Sequence, residues 1–186
     1  MTHRRRAVLK ACLGAGLGIA VMPILDARQD DAATARPREG DLLVKTGDAT
    51  KTPLTADDVP PGSARMLAWT MDPTDRTVRS GSRFNQVILM RFDASALAAD
   101  TRARAAGGIV AYSIICTHGG CDVDDWLEAD QWLSCSCHFS AFDPKDGAKV
   151  MDGPAPRPLP ALPLKLVDGK LVVAKPFSAR VGFEPV

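Results

Sequence analysis

The sequence predicts an all-β fold of short antiparallel strands. Three observations carry that expectation. The 186 residues include 15 Gly and 14 Pro with only 5% aromatics, a composition that suits short strands joined by many turns more than a helical bundle. Gln86-Val87-Ile88-Leu89-Met90-Arg91-Phe92 is a short apolar run rich in strand-forming residues. Leu164-Lys165-Leu166-Val167 and Lys170-Leu171-Val172-Val173 flank Asp168-Gly169, a dipeptide that favours a two-residue hairpin turn because both central residues must take positive φ.

The remaining elements follow in order. Asp41–Lys45 and Arg65–Trp69 read as strands, with one capped turn, stopped by proline, over 55–62. Residues 70–85 read as an exposed loop. Asp93–Ala106 is Ala-rich and reads as a short helix ended by Gly107-Gly108. Ile109–Ile115 reads as a buried strand. The spacer 122–130 holds Asp122, Asp124, Asp125, Glu128 and Asp130 around Trp126. It is either a solvated loop, the simpler reading, or a docking face for a basic partner. Ala148–Met151 reads as a further strand, and the hairpin is expected beside the strands that precede residue 108. Residues 175–186 read as a tail and candidate partner contact.

Hydrophobic residues make up 46% of the chain, enough for a core, and the formal net charge is +1. There is therefore no bulk electrostatic case for nucleic acid as a partner. No internal repeat or phosphate loop is present. Arg4-Arg5-Arg6-Ala7-Val8-Leu9-Lys10 resembles a twin-arginine export motif, and an uncharged apolar run follows from Ala11 to Leu25. That run is shorter than the roughly 20 residues of a spanning helix and fits a signal h-region. Residues 1–25 are thus expected to be a signal or a retained membrane anchor, and the polar, Ala-rich 26–40 a linker. Export would place the domain in the periplasm, free or anchored to the inner membrane, where disulfides persist.

The chemistry concentrates between residues 116 and 138. Apart from Cys12 and His3, every cysteine and histidine lies in Cys116-Thr117-His118-Gly119-Gly120-Cys121 and Cys135-Ser136-Cys137-His138. Thiolates and imidazoles at short spacing are metal ligands. A zinc site using four of the six is the alternative, but zinc sites more often show C-x-x-C pairs.

C-x-H-x-x-C followed by C-x-C-H resembles the signature of Rieske 2Fe–2S proteins, both the cytochrome bc iron–sulfur subunits and the arsenite oxidase small subunits. The resemblance implies that Cys116 and Cys135 hold one iron and His118 and His138 the other. It implies a Cys121–Cys137 disulfide, and a hydrogen bond from Ser140 to a cluster sulfide. Phe142 stands where bc-type proteins often have a tyrosine. Gly119 stands where they often carry a bulky apolar residue. Gly153-Pro154-Ala155-Pro156 resembles the proline loop of the bc branch. The stretches Cys137–Asp143 and Ile109–Ser113 look closer to the arsenite oxidase branch.

The fold implied is an antiparallel β-sandwich base with a small inserted cluster-binding subdomain at about 109–156, within a domain spanning 41–186. The function implied is electron transfer, as a subunit of an oxidoreductase complex or as a free exported electron carrier. The expected partner is a large molybdenum-containing or cytochrome b-type subunit, with a cytochrome c or cupredoxin as acceptor.

Overall fold

A computed structural model of the chain describes residues 32–183. The expected signal or anchor, residues 26–31 of the expected linker and residues 184–186 of the tail lie outside the described residues. Among the described residues no helix is long and apolar enough to cross a membrane.

The strands are β1 (Leu42–Lys45), β2 (Gly62–Met71), β3 (Val87–Arg91), β4 (Ile109–Ser113), β5 (Asp125–Leu127), β6 (Trp132–Cys135), β7 (Ser140–Asp143), β8 (Lys149–Asp152), β9 (Leu164–Val167) and β10 (Lys170–Val173). Every strand pairing is antiparallel. The base is one six-stranded sheet in the order β4-β3-β2-β1-β10-β9. Its two ends come together through the segment before β9. The Ser113 N–H donates to the Pro160 carbonyl and the Leu162 N–H to the Ala111 carbonyl, each at 2.9 Å. The sheet thus curls into a two-layered base, and the outer edge of β4 is covered rather than left open to other chains. The hairpin at Asp168-Gly169 takes φ 50° and 76°, as its turn type requires.

The four-stranded sheet β5-β6-β7-β8 is inserted between β4 and β9. Strands β3 and β4 form the wall between it and the base. Val87 and Leu89 join the base core with Leu43, Ala68, Leu171 and Val173. Ile88 and Met90 point the other way, into a second core with Cys116, Leu133, Cys135 and Phe142. All four of these β3 residues are 0% exposed. A strand buried on both faces reads as a continuous apolar run rather than an alternating one, which explains the sequence of β3.

Several segments differ from expectation, including the spacer 122–130, where Asp125–Leu127 pairs with β6 as strand β5 instead of forming loop. Asp93–Ala106 forms a 3-10 turn (Ala94–Ala96) and one four-residue helix, α1 (Ala99–Arg102), not a helix throughout. The segment is Ala-rich but carries no apolar stripe at helical spacing to repay the cost of nucleation. Gly107-Gly108 is the turn that lets Ala106 and Ile109 exchange backbone hydrogen bonds at 2.9 and 3.0 Å. A Cβ at Gly108 would stand 2.2 Å from the Phe92 carbonyl oxygen, so only glycine fits there.

Residues 70–85 are not simply exposed, because Met71 ends β2 and Arg79 and Asn85 are buried. Residues 32–40 of the expected linker are tied to these two side chains. The Asn85 amide donates to the carbonyls of Thr34 and Ala35, and Arg79 donates to that of Ala32. The Arg79 guanidinium also forms a two-pronged pair with Asp41 at 2.6 and 2.9 Å and reaches Asp72 at 3.1 Å. Both Arg79 and Asp41 are 2% exposed.

This buried pair generates a stability prediction. Arg79→Ala leaves Asp41 buried without its countercharge, and breaking such a pair from one side costs about 3–5 kcal/mol. Urea denaturation should show a loss of that order. A loss below about 1 kcal/mol, the range of surface pairs, would show that water replaces the guanidinium.

Candidate metal centre

Two loops at one end of the inserted subdomain bring the cysteines and histidines together, and they are built alike. The first, 117–120, is closed by the Cys116 N–H donating to the Cys121 carbonyl at 2.8 Å. The second, 136–139, joins β6 to β7, where Cys135 pairs with Ser140. In each loop the carbonyl of the leading cysteine accepts a hydrogen bond four residues on. Gly120 N–H donates to Cys116 at 3.1 Å and Phe139 N–H to Cys135 at 2.9 Å. The donor is left-handed in both loops, with φ 76° at Gly120 and 59° at Phe139. A glycine takes that conformation freely, whereas an aromatic residue is strained there.

Cys116 and Cys135 are free thiols, each 1% exposed. Burial pushes the Cys135 thiol up to about 11, with a smaller upward push from neighbouring Cys116. His118 and His138 face each other edge-on with ring centroids 4.6 Å apart. His138 is exposed, whereas the Nδ1 atom of His118 is buried without a hydrogen-bond partner. An orphaned buried imidazole nitrogen is costly unless a metal or donor takes it, and two thiols beside two imidazoles are metal ligands by type. The donor set therefore fits an iron–sulfur group of mixed ligation.

Cys121 and Cys137 form a disulfide between the two loops. The sulfurs of Cys121, Cys135 and Cys137 all lie within 4.8 Å of one another. That trio is not a ligand set, because two of its members are bonded to each other.

Ser140 and Phe142 lie on β7 and are buried. The Ser140 hydroxyl oxygen accepts from the Ala155 N–H at 3.2 Å, which leaves its own proton to donate elsewhere. Ala155 belongs to the Gly153–Pro156 loop, which passes hard against the second ligand loop. A Cβ at Gly153 would stand 2.6 Å from the Ser140 Cα. Phe142 is 0% exposed, within the core that contains both free cysteines. Gly119 is exposed, and a Cβ there would be 3.9 Å from the His138 Cε1.

Two residues position the loops: Thr117, which the sequence did not single out, and Asp124, which the sequence showed only as one acid of the spacer. The Thr117 hydroxyl donates to the Arg157 carbonyl at 2.6 Å, tying the first loop to the segment beyond the proline loop. The Asp124 carboxylate accepts from the Ser136 N–H and hydroxyl at 3.0 and 2.7 Å. These bonds hold the Asp124 carboxyl below its ordinary value of 3.8. Within the acidic spacer, Asp124 supports the second loop and Asp122 pairs with Arg83. Neither residue had a local signal, since each partner lies far along the chain.

Asp124→Ala should loosen the second loop, giving bound metal that is lost faster at pH 7 on challenge with a chelator. The folded-state pKa of Asp124 is depressed, so its contribution is complete above 3.8 and is lost as pH falls below it. The variant and parent should accordingly converge in metal loss in that acid range. Equal rates at pH 7 would remove Asp124 from the support of the loop.

Comparison with known proteins bears on these two loops. The Rieske 2Fe-2S domain family matches residues 69–163, about half of the chain. A Haloferax mediterranei protein named as the Rieske subunit of a respiratory nitrate reductase is 47% identical over 76 residues, covering 40% of this chain and 34% of that one. The cytochrome bc1 complex Rieske iron–sulfur subunit of Streptomyces lividans is 45% identical over 76 residues, covering 40% of this chain and 45% of the other. The chain therefore matches less than half the length of each relative. Among solved structures, the soluble domain of the Rieske protein II from Sulfolobus acidocaldarius is 19% identical with a TM-score of 0.37, covering 89% of this chain and 85% of that one. Because the family match over residues 69–163 spans both cysteine–histidine loops, the chain belongs to the Rieske 2Fe-2S domain family.

Proposed function

We propose that this chain is the electron-transfer subunit of an oxidoreductase complex, with Cys116 and Cys135 ligating one iron and His118 and His138 the other. The observation that carries the reading is the pairing of two buried free thiols with two facing imidazoles across two equivalent loops. A 2Fe–2S group held by such a donor set takes up and releases one electron at a potential of about −150 to +300 mV. Two thiolates supply less negative charge than four, which is why that range lies above the potential of about −400 mV typical of all-cysteine ferredoxins. His138 is exposed beside Phe139, which is 75% exposed. This is the side from which a redox partner comes near the metal.

Two partner classes follow. The first is a molybdenum-containing subunit of the arsenite oxidase type, with a cytochrome c or cupredoxin as acceptor. The fully buried Phe142, which has no hydroxyl, and the open Gly119 support it. The second is a quinol-oxidising cytochrome b-type subunit. The close fit of the Gly153–Pro156 loop against Ser140 supports it, as do relatives named as bc1 subunits. In both readings the chain is exported to the periplasm, with residues 1–25 as signal or anchor. Co-purification from the native membrane separates the two, through molybdenum in one case and b-type haem in the other.

The metal assignment has its own test. Protein isolated from iron-replete cells should contain two irons and two acid-labile sulfides per chain and show the spectrum of mixed His/Cys ligation. Stoichiometric zinc would overturn it.

The Ser140 hydroxyl, which accepts from Ala155 and keeps its own proton to donate, supports a tuning role. A hydroxyl donating to a cluster sulfur favours the reduced state. If the difference between redox states is about 1.4 kcal/mol, Ser140→Ala should lower the potential by about 59 mV. Phe142→Tyr should raise it if the added hydroxyl reaches a cysteine sulfur. Redox titration at one pH checks both, and an unchanged Ser140→Ala would show that the hydroxyl donates elsewhere.

A further inference from the structure

Gly120 is buried although it lies in a ligand loop at the surface. Phe183 covers it: a Cβ at Gly120 would stand 2.9 Å from the ring Cδ1 and 3.3 Å from Cε1. The residues before Phe183 are also engaged. Val181 is 6% exposed, in the core that holds Cys116 and Cys135. Gly182 has φ +90°, and a Cβ there would be 2.9 Å from the Phe84 ring and 3.8 Å from Ile115, which precedes Cys116. The Gly182 carbonyl accepts a hydrogen bond from the Arg157 guanidinium, and the Arg157 carbonyl accepts from the Thr117 hydroxyl. Three consecutive tail residues thus bear on the first ligand loop or on its supports. The match to the family ends at residue 163, so this contact lies outside the part of the chain that the family defines.

We propose that residues 181–183 are a positioning strap for the first ligand loop, with the Phe183 ring over Gly120 as its principal contact. Surface loops open locally at a small fraction of the global unfolding free energy. The ring covers the peptide whose N–H donates to the Cys116 carbonyl, keeping water from competing for that bond. It also covers the residue next to Cys121, one end of the disulfide. The strap therefore lowers the frequency with which the loop opens, and it keeps Cys116 and His118 at fixed distances from the second loop. The part concerning His118 rests on its assignment as a ligand, whereas the part concerning the disulfide does not.

The test uses the full chain carrying Phe183→Ala, Phe183→Leu, Gly120→Ala and the double variant Gly120→Ala/Phe183→Ala. The first readout is the rate at which dithiothreitol reduces Cys121–Cys137 under native conditions. Phe183→Ala should be reduced about tenfold faster than the parent, the factor that corresponds to weakening a local contact by one decade in its opening equilibrium. Phe183→Leu should restore most of the difference. The urea midpoint should change little, because a contact confined to one loop affects local rather than global opening. The second readout is the reduction potential and the hyperfine couplings of the histidine nitrogens in cluster-loaded protein, which should shift in Phe183→Ala and return in Phe183→Leu.

The double variant separates contact from backbone strain. The cost of a side chain at the left-handed Gly120 is common to both backgrounds and cancels in the cycle. Gly120→Ala should therefore accelerate reduction less in the Phe183→Ala background than in the parent. Strict additivity would overturn the contact. So would an unchanged reduction rate in Phe183→Ala, or an increase no larger than its loss of global stability accounts for. Faster reduction in protein that comes from iron-replete cells with stoichiometric zinc in place of iron would uphold the strap while overturning the ligand assignment.

Discussion

The structure depends on β3 and β4 being buried on both faces. One face closes the base and the other floors the metal-binding subdomain. Each buried Val, Ile, Leu or Met side chain contributes about 1.5–3 kcal/mol through removal from water, and these two strands contribute to both cores at once. β4 runs directly towards Cys116, so the position of the first ligand loop is set by the most completely buried part of the molecule. A loop carrying metal ligands gains precision when the element that delivers it cannot shift without disturbing two cores.

Precision between the two loops comes from a different source. The loops share no strand pairing with each other, and their equivalence is internal to each. They are joined by the Cys121–Cys137 bridge. Around it, Asp124 holds Ser136, Thr117 holds the Arg157 carbonyl, and the Gly153–Pro156 loop presses on Ser140. Two of these ties bear on the second loop itself, Asp124 through Ser136 and Gly153 against the Phe139 and Ser140 backbone, while the His138 and Phe139 side chains stay exposed. Backbone held by neighbouring segments and exposed side chains thus occur in the same loop.

The N-terminal segment adds a second anchoring point. Residues 32–41 are held on Asn85 and Arg79, and the intervening Arg83 and Phe84 meet Asp122 and Gly182. Both ends of the described chain thereby converge on the short 3-10 turn Arg83–Asn85, close to the first ligand loop. The sequence reads this region as loop and linker because its order comes from hydrogen bonds between distant residues. Three buried polar side chains, Asp41, Arg79 and Asn85, do much of this, and polar residues in a sequence look like surface.

Much of the fold and site was legible in the residues themselves. The apolar run Val87–Met90 indicated a strand, Asp168-Gly169 a hairpin, and C-x-H-x-x-C with C-x-C-H a metal centre. Each of these signals is local: a periodicity, a turn residue that accepts positive φ, or ligands only a few positions apart. The helical reading of Asp93–Ala106 went wrong for a physical reason of the same kind, since propensity is local but the burial that stabilises a helix is not. The Cys121–Cys137 bridge was expected from the resemblance, whereas the other ties around the loops were decided by tertiary structure. Asp124 finding Ser136, Thr117 finding Arg157, Arg79 finding Asp41 and Phe183 covering Gly120 are pairings between residues 12 to 63 positions apart along the chain. No short-range pattern encodes such pairs, because they exist only once the two curled sheets have brought separate segments to the same place.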